Sequence, residues 1–395
     1  MRNYYCGGDL QRYHSIAELA ATARRRLPYF AWEYLEGGAE QEWTLRRNRA
    51  AFDAWGLQSR TLVPAHPPAT GRHLLGQETP LPFGIAPTGY NAMLFPDADL
   101  HLARAAARRG LPFSLSTVSN ASLENVRAAA PDANLWFQLY PMRDPKIQAD
   151  LLARAERQGV STLLMTSDAS TLGNREWDRR NFARPRCLSL RNKLDVLRHP
   201  GWLRRVMWPK GLPIMGNLAP YIPLSERNAL GSMQFVAQQM DTLLDWEKLA
   251  RLRDAWKGRL LLKGVLHPAD AERAIALGLD GIVITNHGGR QLDGAPSSLE
   301  AVAAIAPVAR GRLALLLDSG IRRGSDIVKA LAHGADMVLL GRATLYGVAV
   351  AGEAGAGRAL DLLADELRLT LNLMGCAGID ALDGDWLLRA REIGR

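Results

Sequence analysis

Three observations in the sequence predict an α/β chain built as a (β/α)8 (TIM) barrel. From residue 83 onward eight short apolar runs recur: Phe83–Ala86, Phe113–Leu115, Leu135–Leu139, Thr162–Met165, Leu260–Leu262, Gly281–Ile284, Leu313–Leu317 and Met337–Leu340. Helical patterns such as Asp99–Arg109 and Ile327–Ala332 alternate with them. Each run closes on a polar or glycine-bearing turn, the place where barrels of this kind build their sites. A length of 395 residues suits one such barrel with additions. Residues 1–395 are therefore read as a single domain with an N-terminal helical extension and a long insertion, residues 170–240, after the fourth strand.

Taken in order, the extension starts with Ser15, a candidate helix cap with Glu18 placed to complete a capping box. Pro28 starts a second helix carrying Phe30, Trp32, Tyr34 and Leu35. The runs then close, in sequence, on Pro87-Thr88-Gly89, Ser116, Gln138 with Tyr140, Thr166 with Asp168, Lys263, Thr285 with His287, Asp318, and Gly341-Arg342. A buried strand ending in lysine is costly unless the charge is used. The segment Asp318-Ser319-Gly320-Ile321-Arg322-Arg323-Gly324 after run seven, with Gly341-Arg342 after run eight, reads as a phosphate site made of glycine amides and helix N-termini.

The most specific stretch is Thr285-Asn286-His287-Gly288-Gly289-Arg290-Gln291-Leu292-Asp293. His287 exchanges a proton near neutral pH, and the planar fork of Arg290 suits a carboxylate. The two glycines between them allow a tight turn and a close ligand. An isolated His-Arg pair would more often be a solvated turn; the nine-residue run is what raises it above that.

Composition narrows the class. Mean hydropathy is −0.12 and 47% of residues are hydrophobic, as in a soluble globular protein. Cys6, Cys187 and Cys376 share no metal-ligand spacing, and an odd count argues against a disulfide framework, so no metal and a reducing compartment are expected. The N-terminus lacks a secretory h-region and no run is long enough to span a bilayer. Of the net charge of +9, nearly all sits between Arg175 and Lys210, with eleven Lys/Arg against three acids. No nucleic-acid motif accompanies that charge.

The Thr285–Asp293 run resembles the active-site signature of the FMN-dependent 2-hydroxy-acid dehydrogenases and oxidases. Similar matches occur at Tyr34-Leu35-Glu36-Gly37-Gly38-Ala39-Glu40 with Asn48, at Asp168-Ala169-Ser170-Thr171-Leu172-Gly173-Asn174-Arg175-Glu176, and at both phosphate loops. The resemblance implies FMN as cofactor, bound by Pro87, Thr88, Gly89, Ser116, Gln138, Tyr140, Thr166, Lys263, Thr285, Asp318, Ser319, Gly320, Ile321, Arg322, Gly341 and Arg342. It implies a 2-hydroxy acid held by Tyr34, Tyr140, Arg175 and Arg290, with His287 as catalytic base, Asp168 orienting it and Lys263 offsetting charge on the flavin. Whether the proton leaves the hydroxyl oxygen or the α-carbon is left open by the residues. The family usually has glycine where Ser319 stands. Segments Ile85–Asn91, Leu135–Tyr140 and Leu316–Gly320 look most like the branch that oxidises (S)-mandelate. Gly89 is expected to leave room for an aryl group over the flavin. The segment from His199-Pro200-Gly201-Trp202 to Asn217 also resembles lactate-oxidising members, the runner-up.

In this family the insertion covers the site or attaches the protein to membrane. Trp202, Leu203, Val206 and Met207 fall on one helical face beside Arg204 and Arg205, a composition suited to an interfacial helix on an anionic membrane surface. The alternative is a lid packing that face on the barrel. The expected partners are a membrane quinone or electron-transfer chain, with oxygen as the alternative acceptor, and further copies of the chain, a tetramer by resemblance. The expected location is peripheral, on the cytoplasmic face of the inner membrane. A flavin-free phosphosugar isomerase and an inert membrane-binding barrel are the alternatives of other classes.

Overall fold

The computed structural model describes residues 4–389 except 65, 185, 186, 209, 210 and 212. The eight apolar runs become parallel strands: β1 (Phe83–Ile85), β2 (Phe113–Ser116), β3 (Leu135–Leu139), β4 (Thr162–Thr166), β5 (Arg259–Val265), β6 (Gly281–Ile284), β7 (Ala314–Leu317) and β8 (Met337–Leu340). Each pairs with the next, and β8 returns to β1 with Val338 opposite Phe83 and Leu340 opposite Ile85, closing the barrel. The runs are apolar throughout because strands buried on both faces have no solvent side to mark. Trp136 fills the barrel interior with Leu164, Leu261, Val283 and Leu316. Its neighbour Phe137 points outward into the helix-covered core with Leu262, Ile284 and Leu317. That is the period-two alternation of a filled barrel. Leu74 and Leu75, in the short hairpin of Arg72–Leu74 with Gln77–Thr79, pack against the interior group.

The extension supplies α1 (Ile16–Arg26), α2 (Tyr29–Glu36) and α3 (Trp43–Asp53). Ser15 caps α1 as expected, but the box does not close: the Glu18 carboxylate accepts from the His14 amide at 2.6 Å. The insertion after β4 contains α4 (Leu190–Leu197), a three-residue helical turn Pro200–Trp202 and a π-helical turn Leu203–Met207. After β7 and β8 come α5 (Gly324–Ala332) and α6 (Arg342–Met374), the latter broken by non-helical Ala351 and Gly352.

The interfacial face expected in the insertion is corrected here. Trp202 is 4% exposed, packs edge-on against Phe30 with ring centroids 5.6 Å apart, and donates its indole N–H to the Met93 carbonyl at 2.8 Å. Val206 is buried too, and Leu203 and Met207 lean on the same core. This face anchors the insertion to the body of the protein. Among the apolar side chains the insertion leaves outside are Leu190, Leu194 and Leu197 on α4, 74%, 52% and 66% exposed, and Trp208. Of the basic segment, Arg186 and Lys210 lie outside the described residues.

Candidate active site

The C-terminal ends of the strands carry a continuous set of polar groups. Ser116 Oγ donates to Gln138 Oε1 at 2.8 Å, and Gln138 Nε2 donates to Thr166 Oγ1 at 2.8 Å. Lys263, buried at the end of β5, faces Asp318 Oδ2 at 3.4 Å. Asp318 accepts in turn from the hydroxyls of Thr285 and Ser319. Neighbouring barrel strands thus place one polar row across the mouth: Gln138, Thr166, Lys263, Thr285 and Asp318 each stand two residues after an inward apolar side chain, Trp136, Leu164, Leu261, Val283 and Leu316, and so face the same way.

The turn after β6 is wound left-handed through three residues, His287, Gly288 and Gly289, at φ 58°, 68° and 75°. At Gly289 a Cβ would lie 2.6 Å from the Leu45 amide, so no other residue fits. The turn presents His287 with Nδ1 3.1 and 3.2 Å from the two Asp168 oxygens. Burial, opposed by Asp168, lowers the imidazole pKa, while Lys263 lowers it further. For Asp168, burial alone would raise the carboxyl, but the charges of His287 and Lys263 outweigh it and hold it below its ordinary range. The pair therefore rests as neutral imidazole beside carboxylate at neutral pH, with Nε2 as the available base.

Three guanidiniums share this mouth. Arg290 donates from Nη1 to the carbonyls of Tyr34 at 2.7 Å and Gly37 at 2.9 Å. Arg342 donates to Leu35, Gly288 and Gly37. Both therefore cap the C-terminal carbonyls of α2, a favourable place for cations. Burial first, then Arg175 and Arg342, push Arg290 down to about 9. Since a guanidinium does not give up its proton in proteins, that direction measures a demand for anions. The described counter-charge is Asp178, with Oδ2 3.8 Å from Arg175 Nη1 and 4.0 Å from Arg290 Nη2. Arg175 Nε is buried without a hydrogen-bond partner among the described residues.

The remaining sequence-named residues fall around the same mouth. Tyr34 donates its hydroxyl to the Gly89 carbonyl at 3.2 Å and lies under the Arg290 guanidinium, 5.1 Å from ring centroid to Cζ. Tyr140 is a phenol pushed up by burial, with Asp168, Arg175 and Arg290 as its charged neighbours. Thr88 accepts from Asn91 at the end of β1. In the loops after β7 and β8 Ile321 is buried and Arg322 donates to Tyr346 Oη at 3.2 Å, which itself meets Glu36. The amides of Gly320 and Gly341 remain at the loop and at the start of α6. At Gly89 a Cβ would lie 2.5 Å from Val118 Cγ2, so the missing side chain also makes room for Val118.

Several residues that bear on the site were not singled out from sequence. Asp178 stands three residues after Arg175, the helical spacing at which a carboxylate meets a guanidinium. Asn286, inside the signature run, exchanges side-chain hydrogen bonds with Asn48 at 2.8 and 2.7 Å and accepts from the Gly289 amide, locking the turn to α3. Tyr346 and Glu36 join α6 and α2 beside Arg322.

Comparison with known proteins agrees with this geometry. The family model described as FMN-dependent dehydrogenase matches residues 23–389. The chain is 42% identical to the (S)-mandelate dehydrogenase of Pseudomonas putida over 380 residues, 95% of this chain and 94% of that one. It is 39% identical to the L-lactate dehydrogenase of Pectobacterium atrosepticum, over 94% and 96% of the two chains. A crystal structure of the monotopic membrane protein (S)-mandelate dehydrogenase superposes with a TM-score of 0.90 at 40% identity, covering 95% of this chain and 99% of that one.

Proposed function

This chain belongs to the family of FMN-dependent dehydrogenases, and from that premise we propose that it oxidises an aryl (S)-2-hydroxy acid such as (S)-mandelate to the 2-oxo acid, passing the electrons to a membrane quinone. The residues fit the cofactor. The row from Ser116 through Gln138, Thr166, Lys263 and Thr285, with Pro87, Thr88, Gly89 and Tyr140, suits the polar edge of a flavin ring. Asp318, Ser319, Gly320, Ile321, Arg322, Gly341 and Arg342 suit the phosphate end, where buried positive charge calls for an anion. Bound FMN supplies a two-electron acceptor. The family match removes the flavin-free isomerase alternative.

The chain's own groups divide the remaining work. Arg290, with Nη1 committed to carbonyls, offers its other arm to the substrate carboxylate together with Arg175. Tyr34 and Tyr140 fix the carboxylate and hydroxyl by hydrogen bonds. His287 takes a proton at Nε2 while Nδ1–H faces Asp168, whose negative charge stabilises the imidazolium that forms. Lys263 supplies fixed positive charge at the mouth, preorganised by Asp318. The observation that carries this reading is the His287–Asp168 pair set beside the buried guanidinium of Arg290 and the half-buried one of Arg175. Anaerobic flavin bleaching against (S)-mandelate, L-lactate and glycolate tests it. Fastest bleaching by mandelate supports the aryl substrate; fastest bleaching by lactate replaces it with the second reading, which rests on the 39% likeness to L-lactate dehydrogenases.

The proposed membrane contact is α4. Its exposed Leu190, Leu194 and Leu197 recur at helical spacing with Arg191, Lys193 and Arg198 alongside, and exposed Trp208 follows. An apolar stripe flanked by cations suits an anionic lipid surface. No helix among the described residues is long and apolar enough to cross a membrane; the attachment we propose is peripheral, on the cytoplasmic face. A homotetramer is the proposed assembly, by family resemblance.

A further inference from the structure

Tyr90 carries a polar atom that nothing above accounts for. It follows Gly89 directly, in the loop after β1, with a left-handed backbone at φ 59°. Such a conformation is uncommon for a bulky residue and, where it persists, clusters at functional sites. The side chain is 5% exposed, and its hydroxyl oxygen is buried with no hydrogen-bond partner among the described residues. Buried tyrosine hydroxyls ordinarily find partners, and a phenylalanine would fill the same space without the cost of an unpaired donor.

The surroundings place this residue beside Tyr34, one of the tyrosines assigned above to the substrate. The Tyr90 ring packs edge-on against Tyr34, with centroids 6.4 Å apart, and the Tyr34 hydroxyl donates to the carbonyl of the residue preceding Tyr90. Burial holds the Tyr90 phenol in its protonated form. Tyr90 is thus a neutral donor and acceptor in apolar surroundings, on the Tyr34 side of the mouth and away from the Asp168 and Arg175 charges that surround Tyr140. A carboxylate is served by the arginines; what Tyr90 can serve is a neutral polar substituent.

We propose that Tyr90 is a specificity-determining residue whose hydroxyl pairs with a ring substituent, so that the preferred substrate is a ring-hydroxylated aryl 2-hydroxy acid. This rests on the aryl 2-hydroxy-acid reading and names its substrate class more narrowly. A site built to hydrogen-bond a substrate hydroxyl disfavours the analogue lacking it, because its own buried polar group is then left unpaired.

The test uses wild-type holoenzyme and the Tyr90→Phe holoenzyme, with kcat/KM for anaerobic flavin reduction by (S)-mandelate, its 3- and 4-hydroxy derivatives and the methyl isosteres of those two. The wild type should favour the better hydroxylated acid over its methyl isostere by about tenfold, the worth of one buried neutral hydrogen bond. Tyr90→Phe should bring that ratio close to one. A general packing defect would slow every substrate alike and leave the ratio in place, which would overturn the inference. A wild-type ratio near one also overturns it, and that measurement stands even if the variant fails to fold. Reduction by aryl acids with no hydroxyl preference overturns this inference alone; reduction by L-lactate only overturns the aryl reading and this inference together.

Discussion

Arg290 and Arg342 share one acceptor: each donates at 2.9 Å to the carbonyl oxygen of Gly37. The arginine proposed for the substrate carboxylate and the arginine at the start of α6 therefore grip the same end of α2, the helix that carries Tyr34. A lysine keeps the charge but, with all its donors on one nitrogen, lacks the planar fork that sets one arm on a carbonyl and the other on a carboxylate. Arg290→Lys should lose about 1.5–3 kcal/mol of transition-state stabilisation, read as a fall in kcat/KM with the preferred hydroxy acid. Unchanged kcat/KM would mean that the carboxylate is held elsewhere.

His287→Gln removes the proton acceptor while keeping a polar side chain in the turn. Bound FMN should be retained, and the rate of flavin reduction should fall about 10²–10⁴-fold. Stopped-flow reduction at near wild-type rate would end the assignment of His287 as base.

The pH dependence has a definite sign. His287 must be neutral to accept a proton, and burial lowers its pKa below the ordinary 6.5. The acid limb of kcat/KM should therefore lie below pH 6.5, with activity lost as the imidazole protonates. Asp168 works to raise that pKa, so Asp168→Asn should move the limb to lower pH still. It should also slow reduction at neutral pH, because the imidazolium loses its partner charge. A limb that stays in place in the variant would show that another group titrates.

Ser319 sits at φ 78°, donates to Asp318 at 2.8 Å and accepts from the Gly288 amide at 2.9 Å. The hydroxyl thus ties the loop after β7 to the His287 turn. Ser319→Ala keeps the strained backbone and loses both bonds; Ser319→Gly loses the bonds but relieves the strain. Thermal unfolding should rank wild type above Gly and Gly above Ala, with the Gly-to-Ala step about 1 kcal/mol. An alanine variant as stable as the glycine one would show that the turn relaxes.

Two sets of apolar residues in the insertion should behave oppositely. Replacing Leu190, Leu194 and Leu197 by serine should weaken sedimentation with anionic liposomes while leaving the melting temperature near wild type, since all three are exposed. Trp202→Ala should cost stability, about 3–5 kcal/mol for a buried tryptophan. Full liposome binding by the triple variant would place the membrane contact elsewhere.

Much of this was legible in the residue order. Eight apolar runs marked eight strands because a strand buried on both faces must be apolar along its whole length. The Thr285–Asp293 run and the loops after β7 and β8 were legible because their glycines and charges lie close together in the chain. What covers a face was not legible. Trp202, Leu203, Val206 and Met207 announce an apolar face by their spacing, but a period of 3.6 is the same whether lipid or Phe30 lies opposite. Gly89 announced a missing side chain without saying that Val118 takes the space. The arginines announced anion binding, yet Arg290 and Arg342 turned out to hold the end of α2, more than 250 residues away. Local order determined which groups stand at the barrel mouth; only its closure, which brings distant segments together, decided which carbonyls, rings and carboxylates each group meets there.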